Sequence, residues 1–160
     1  MANGRIDEMQ QVVALVFHLA NVAQTRGDQL DERVTTKQWM ALISAFHLEG
    51  DRATCSEIAR LMGCTKQNAK QLIDALVRKG YLVPAPSPND RRAVPLKPTV
   101  AGAAVASELY ARREEALGAA AGILEEDEAA ELHRLLRKLA DGLTPGWDGY
   151  ERAAAWEPRA

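Results

Sequence analysis

Residues 54–83 carry the sequence TCSEIARLMGCTKQNAKQLIDALVRKGYLV, and this stretch decides the fold. Thr54 opens a capping box, which predicts a short helix that ends at Gly63. Thr65 opens a second helix, which Gly80 ends. The apolar residues of this second helix recur at the spacing of a single helical face: Ala69, Leu72, Ile73, Leu76 and Val77. Two helices joined by so tight a turn predict a helix-turn-helix.

The neighbouring segments add a helix before this pair and a hairpin after it. Thr35 and Gln38 have the spacing of another capping box, so a helix begins there. The segments YLVP and AVPLKP are short, apolar and interrupted by proline, which predicts a hairpin of two edge strands. Between them lies SPNDRRAVPL, residues 87–96, whose prolines exclude a helix interior. The sequence therefore predicts a winged helix-turn-helix.

Long helices flank this lobe on both sides. The helix over residues 6–24 is apolar around well over one face, and the helix over 126–141 carries a leucine stripe. The stripe consists of Leu132, Leu135, Leu136 and Leu139. A third flanking helix is capped by Thr99 and extends to about residue 123. Together these faces exceed what one small lobe can bury, which predicts a subunit interface.

The predicted fold is mainly α with a small β-hairpin wing, that is, a winged helix-turn-helix flanked by long dimerisation helices. It divides the chain into four parts: an N-terminal dimerisation helix (1–34), the winged helix-turn-helix lobe (35–98), C-terminal dimerisation helices (99–142) and a mobile tail (143–160). Trp147, Tyr150 and Trp156 are the tail residues suited to dock on the rest of the protein.

Charge is distributed unevenly along the chain. Residues 36–98 hold ten Lys/Arg and five Asp/Glu, a formal charge of +5, whereas the rest holds ten basic and seventeen acidic residues, or −7. A basic middle between acidic ends is typical of a module that faces a polyanion. An ordinary solvated surface is the alternative, which the charge balance alone leaves open.

Polar side chains occupy the outer face at the start of the second helix of the pair. They are Lys66, Gln67, Asn68, Lys70 and Gln71. Side chains of this kind at a helix N-terminus reach base edges in a major groove, with amides suited to adenine and lysine to guanine. The free N–H groups after Thr65 suit a phosphate. We expect these residues to contact double-stranded DNA; the alternative is a protein-interaction module whose basic face binds an acidic partner.

Three segments resemble the MarR family of bacterial regulators: TTKQWMAL, SEIARLMGCTKQNAKQLIDALVRKGYLV and SPNDRRAVPLKPTVAG. The Asp-x-Arg of the family's wing falls on Asp90 and Arg92. The resemblance implies that Arg92 enters the minor groove while Asp90 holds the shape of the wing. Arg91 is expected to meet a phosphate. Relatives often carry arginine at the position of Gln71. With fewer cations, the affinity of this chain for DNA should depend less steeply on salt concentration.

The same resemblance implies a homodimer on a pseudo-palindromic operator, acting as a repressor that a small, often aromatic ligand releases. The candidate walls of an effector pocket between the two lobes are Phe17, His18, Trp39 and Phe46. The alternative is that these four side chains are ordinary core residues.

The two cysteines lie on the helix pair. Cys55 falls in the first turn of its first helix, and Cys64 immediately precedes the cap of the second. Along a helix they would be about 13 Å apart, too far for a disulfide. A redox-sensing regulator is an alternative that these thiols allow, but packing is the simpler interpretation, particularly for Cys64 at a site that favours an apolar residue.

Other functions find no support in the sequence. Residues 12–23 form an apolar run too short to cross a bilayer, and no signal peptide precedes it, so a cytoplasmic protein is expected. His18, His47 and His133 fall on three different helices, which does not favour a metal site. No phosphate loop or nucleophile motif occurs, so neither an enzyme nor a cofactor is expected.

Overall fold

The computed structural model describes residues 2–48, 50–85, 94–147 and 149. The described elements follow in the order α1 (Ala2–Asp28), α2 (Thr36–Leu48), a 3₁₀ helix (Gly50–Arg52), α3 (Cys55–Met62), α4 (Lys66–Arg78), β1 (Leu82–Pro84), β2 (Leu96–Pro98), α5 (Val100–Ala121) and α6 (Glu126–Leu143). This is the mainly helical fold with a two-stranded hairpin that the sequence predicts.

Helices α2, α3 and α4 pack together around one hydrophobic core. Its largest fully buried side chains include Leu42, Leu48, Ile58, Leu61 and Leu76. Full burial of such a side chain contributes about 1.5–3 kcal/mol to folding. These three helices therefore form one packed unit, and α4 contributes one face to its core and the other to its surface.

The first turns of α3 and α4 are held by the caps that the sequence predicts. Thr54 Oγ1 accepts the backbone N–H of Glu57 at 3.3 Å, and Thr65 Oγ1 accepts that of Asn68 at 3.2 Å. Gly63 adopts a left-handed conformation with φ 64° and ends α3. This conformation turns the chain sharply from α3 into α4.

The last turn of α4 is closed by two backbone hydrogen bonds. Tyr81 N–H donates to Leu76 O and Gly80 N–H donates to Val77 O, each at 2.9 Å. Gly80 has φ 74°, which favours glycine. The pattern is a Schellman motif, so both ends of α4 are fixed.

Strands β1 and β2 form the base of an antiparallel hairpin. Leu82 of β1 pairs with Pro98 of β2, and Pro84 of β1 pairs with Leu96 of β2. Both leucines are buried, and Leu96 N–H donates to Ala53 O at 2.9 Å. The hairpin base is thus attached to the helical lobe by packing and by hydrogen bonding.

Two of the three flanking helices, α1 and α6, are longer than predicted, whereas α5 ends at Ala121, two residues before the predicted end. Helix α1 ends at Asp28 rather than near residue 24, because it continues through Gly27, which packs closely against Thr36 and Arg113. Helix α6 ends at Leu143, two residues beyond the predicted end. No helix within the described part of the chain combines the length and the apolar character needed to cross a membrane.

Candidate nucleic-acid interface

Helix α4 presents a polar face on the side opposite the core. Ala69, Ile73 and Leu76 are at most 5% exposed and define its inner side. At 100° per residue, the positions farthest from these three are Gln67, Gln71, Asp74 and Arg78. The outer face of α4 is therefore made of amides and charged groups.

The structure brings the predicted α4 residues together on the first two turns of that helix. The exposed side chains are those of Thr65, Lys66, Gln67, Asn68, Lys70 and Gln71. Thr65 Oγ1 is engaged in the cap, so its own contribution is to position the helix start. The other five present long donors and acceptors to solvent, as readout of base edges requires.

One of these cations is paired within the helix. Lys70 Nζ donates to both carboxylate oxygens of Asp74, at 3.0 and 2.8 Å. This hydrogen bonding, together with the charge of Asp74, raises the pKa of Lys70. The outer face of α4 therefore carries a carboxylate that the sequence-based site did not include, although the spacing of four residues could have indicated it.

A second lysine fastens α4 to α2. Lys79 Nζ donates to Arg33 O at 2.6 Å and to Gln38 Oε1 at 2.9 Å. Gln38 also closes the capping box of α2, since Thr35 Oγ1 accepts its N–H at 3.2 Å. Lys79 thus fixes the end of α4 against the start of α2.

The wing residues predicted to contact DNA, Asp90, Arg91 and Arg92, lie outside the described residues. The described part of the hairpin continues to Ala85 on one side and resumes at Val94 on the other. Ala85 N–H donates to Pro95 O at 2.8 Å, one step beyond the last pair of the ladder. The roles of the three wing residues remain predictions.

Both cysteines are partly buried in the helix pair. The Cys55 thiol donates to Lys66 O at 3.6 Å, because the turn at Gly63 brings the start of α4 back towards it. Burial raises the pKa of the Cys64 thiol, and the nearby Cys55 adds to this effect. A raised pKa lowers the thiolate fraction and with it the reactivity of Cys64.

The candidate effector residues lie in two different settings. Phe17 is 67% exposed and His18 is also exposed, both on α1. Trp39 and Phe46 are half-buried and pack against the core of the lobe. Trp39 also donates through Nε1 to Ala106 O at 3.4 Å. Their part in binding an effector remains a prediction.

An arginine that sequence reasoning missed joins α1, α2 and α5. Arg113 lies with Cζ 4.3 Å from the centre of the Trp39 ring, and its Nη2 donates to Thr36 Oγ1 at 3.1 Å. Burial lowers the pKa of Arg113, while the charge of Asp28 opposes that effect. Only the fold brings these residues together, so no local pattern could have indicated the cluster.

Comparison with known proteins agrees with this architecture. The model of the MarR family matches residues 35–93. No curated protein matches the chain significantly. The S. aureus MepR–DNA complex superposes with a TM-score of 0.73 at 20% identity, covering 81% of this chain and 96% of that one.

Two further solved structures share the fold. A mutant of E. coli MarR complexed with operator DNA has 26% identity and a TM-score of 0.63, covering 79% of this chain and 94% of that one. BpsR of Bordetella bronchiseptica has 23% identity and a TM-score of 0.64, covering 79% of this chain and 99% of that one. Its structure is described with the regulation of its DNA binding by 6-hydroxynicotinic acid.

The helix pair, the capped outer helix and the attached hairpin define a winged helix-turn-helix. The lobe over residues 35–93 matches the MarR family, and the fold as a whole is similar to that of winged-helix regulators of the MarR type.

Proposed function

We propose that this chain is a dimeric transcriptional regulator that binds double-stranded DNA through α4 and the wing. The outer face of α4 carries the proposal, because it presents Gln67 and Gln71, with Lys70 on its flank, on a helix whose two ends are both fixed. A rigid helix loses little entropy on binding and can present the same side chains to successive bases. The wing residues Asp90, Arg91 and Arg92 would extend the contact into the neighbouring minor groove.

The related structures support this function. MepR and E. coli MarR were each solved with DNA, and the MarR complex holds operator DNA. The lobe of this chain has the same architecture and, over residues 36–98, a formal charge of +5. A positive lobe favours association with phosphates and makes that association depend on salt.

A second copy of this chain is the proposed partner of the flanking helices. In the single chain α1 exposes an apolar groove lined by Ile6, Met9 and Val13, and α6 exposes three of the four leucines of its stripe. Leu132, Leu135 and Leu136 are 40–45% exposed. Apolar surface of this extent on two helices is typical of a subunit interface. Two-fold symmetry would place the two α4 helices about 34 Å apart, matching a pseudo-palindromic site.

We further propose repression that a small aromatic ligand relieves. BpsR, whose DNA binding responds to 6-hydroxynicotinic acid, offers a precedent of the same fold. Trp39 and Phe46 in the lobe, with Phe17 and His18 on α1, are the proposed walls. A ligand held there would act by favouring a spacing of the two α4 helices that does not fit successive grooves.

Selection of bound duplexes from a random pool tests the function. The expected result is an inverted repeat whose half-sites are centred about one helical turn, ~10 base pairs, apart. Binding should weaken linearly in the logarithm of salt concentration. If folded, dimeric protein enriches no sequence, the proposal is wrong and the basic face belongs to a protein-interaction module instead.

A further inference from the structure

Asp74 occupies a position at which a DNA-binding helix would normally avoid negative charge. It lies at the edge of the outer face of α4, roughly 130° round the helix from the mean direction of the buried side chains, and its side chain is 47% exposed. It follows Gln67 by two helical turns, so the two side chains point in nearly the same direction. Any duplex that approaches this face through the major groove must therefore accommodate the carboxylate.

The Lys70–Asp74 pair is exposed and easily exchanged. The side chains are 67% and 47% exposed, and their closest contact is 2.8 Å. Exposed pairs at this helical spacing contribute only about 0.3–0.5 kcal/mol. So weak a pair is readily broken, and a better partner for either member can replace it.

The chemistry of the carboxylate determines which partner that is. An ionised aspartate only accepts hydrogen bonds, so it repels phosphates and the acceptor atoms of guanine. In the major groove the N4 amino group of cytosine is the donor that pairs with aspartate or glutamate. Lys70 lies about 90° round the helix from the core, on a flank of α4 rather than at the middle of its outer face.

We propose that Asp74 is a specificity-determining residue that exchanges partners at the operator. On unrelated DNA the carboxylate finds no donor among the bases and competes with phosphate for Lys70. On the operator the carboxylate accepts the amino group of a cytosine, and Lys70 is released to a neighbouring phosphate. Both gains occur only on the correct sequence, so the pair widens the difference between specific and non-specific affinity. This inference rests on the proposed function.

The affinity for a random-sequence duplex, measured over a range of salt concentrations, tests whether Asp74 competes with phosphate for Lys70. Asp74→Asn removes the charge with little change of shape, so Lys70 should gain one phosphate contact. The loss of affinity between 50 and 200 mM salt should then be about 3.5-fold larger than for the parent protein. Lys70→Met added to Asp74→Asn should abolish this gain.

Glu131→Gln is the matched control. Glu131 forms an exposed pair with Arg134 at 2.7 Å, on α6 rather than on the DNA-binding lobe, so the substitution removes the same net charge elsewhere. Its salt dependence should equal that of the parent, and light scattering should give both variants the same mass. If Asp74→Asn behaves like Glu131→Gln, the inference fails.

Sequence selection tests the exchange of partners. The parent should enrich cytosine at one position of each half-site, and Asp74→Asn should lose that preference while keeping the rest of the repeat. A retained cytosine preference overturns the inference even if the salt result is as expected. If the parent enriches no sequence at all, the proposed function fails instead, so the two failures are distinguishable.

Discussion

The indole nitrogen of Trp147 donates a hydrogen bond to the backbone oxygen of Leu61 at 3.0 Å, joining the segment after α6 to the end of α3. A second hydrogen bond joins the same two segments, since Arg60 Nη1 on α3 donates to Gly146 O at 3.0 Å. Arg137 on α6 lies with Cζ 5.4 Å from the centre of the Trp147 ring. The end of α6 is therefore attached to the helix that supports α4, so a displacement of α6 must either move α3 or break these contacts.

Trp147→Phe tests this attachment. Phenylalanine keeps most of the apolar packing but cannot donate to Leu61 O, so the free energy of unfolding should fall by about 0.5–1.5 kcal/mol. Urea denaturation followed by circular dichroism measures the change. Val100→Ala is a suitable control, because Val100 is 90% exposed and its truncation should leave stability nearly unchanged. Equal stability of Trp147→Phe and the parent would show that the hydrogen bond contributes nothing.

Gly27 and Gly118 form a matched pair of helical glycines with opposite expected effects. A Cβ at Gly27 would collide with Thr36 Oγ1 and lie 2.7 Å from Arg113 Nη1, whereas one at Gly118 meets nothing within 4 Å. Gly27→Ala should therefore destabilise the protein by about 1–3 kcal/mol through overpacking. Gly118→Ala should stabilise it by about 0.5–1 kcal/mol through helix propensity. Thermal unfolding compares the two, and the same sign for both would contradict the packing at Gly27.

Asp31 should make the free energy of unfolding depend on pH in the acidic range. Its side chain is 4% exposed, and hydrogen bonds from Arg33 lower the pKa of Asp31 below its ordinary value of 3.8, outweighing burial. Because the folded state has the lower pKa, this stabilisation is complete above about pH 5 and is lost as pH falls through 3.8 towards the folded value.

Urea unfolding of Asp31→Asn between pH 7 and pH 3 measures this effect. The variant should be less stable at pH 7 by about 1–3 kcal/mol, since Arg33 loses charge-assisted hydrogen bonds, and its stability should fall less steeply below pH 4. Glu131→Gln serves for comparison. Arg134 also lowers the pKa of Glu131, but that pair is exposed to solvent. Its loss should therefore have a smaller effect on the acid limb, that is, on the fall of stability below about pH 4. Parallel acid limbs for Asp31→Asn and the parent would exclude this role.

Local rules predicted the helix pair well because its boundaries depend on neighbouring residues. Thr65 and Gly80 act within a few positions of themselves, through a cap and a Schellman motif, so the sequence shows where α4 begins and ends. The outer face of α4 followed from periodicity in the same way. The pairing of Asp74 with Lys70 obeys a local rule as well, since residues four apart are neighbours on a helix surface.

Contacts between distant parts of the chain could not be predicted in this way. The hydrogen bond of Trp147 spans 86 positions, and that of Arg113 with Thr36 spans 77. Nothing in the spacing of these residues indicates a partner, because tertiary packing brings them together after the helices have formed. The aromatic residues considered as pocket walls illustrate the same limit. Composition alone did not indicate that Trp39 stacks against a half-buried arginine.

Val13→Glu tests whether the apolar face of α1 forms the subunit interface. Val13 is 47% exposed in the single chain and lines the groove beside Ile6 and Met9. A charge buried there without a partner in the dimer carries a large desolvation cost, so the variant should be monomeric at micromolar concentration. Val100→Glu is the matched control. It places the same charge on a more exposed valine at the start of α5, where the helix dipole favours an anion, and it should leave the dimer intact.

Sedimentation equilibrium of the parent and both variants distinguishes the outcomes for α1. A dimeric parent with a monomeric Val13→Glu and a dimeric Val100→Glu is the expected pattern. Monomeric Val13→Glu should also bind a full inverted repeat far more weakly than the parent, because it loses the second half-site contact that the dimer makes simultaneously. A dimeric Val13→Glu with unchanged affinity would place the interface elsewhere, and a monomeric parent would remove the physical basis for reading two half-sites at once.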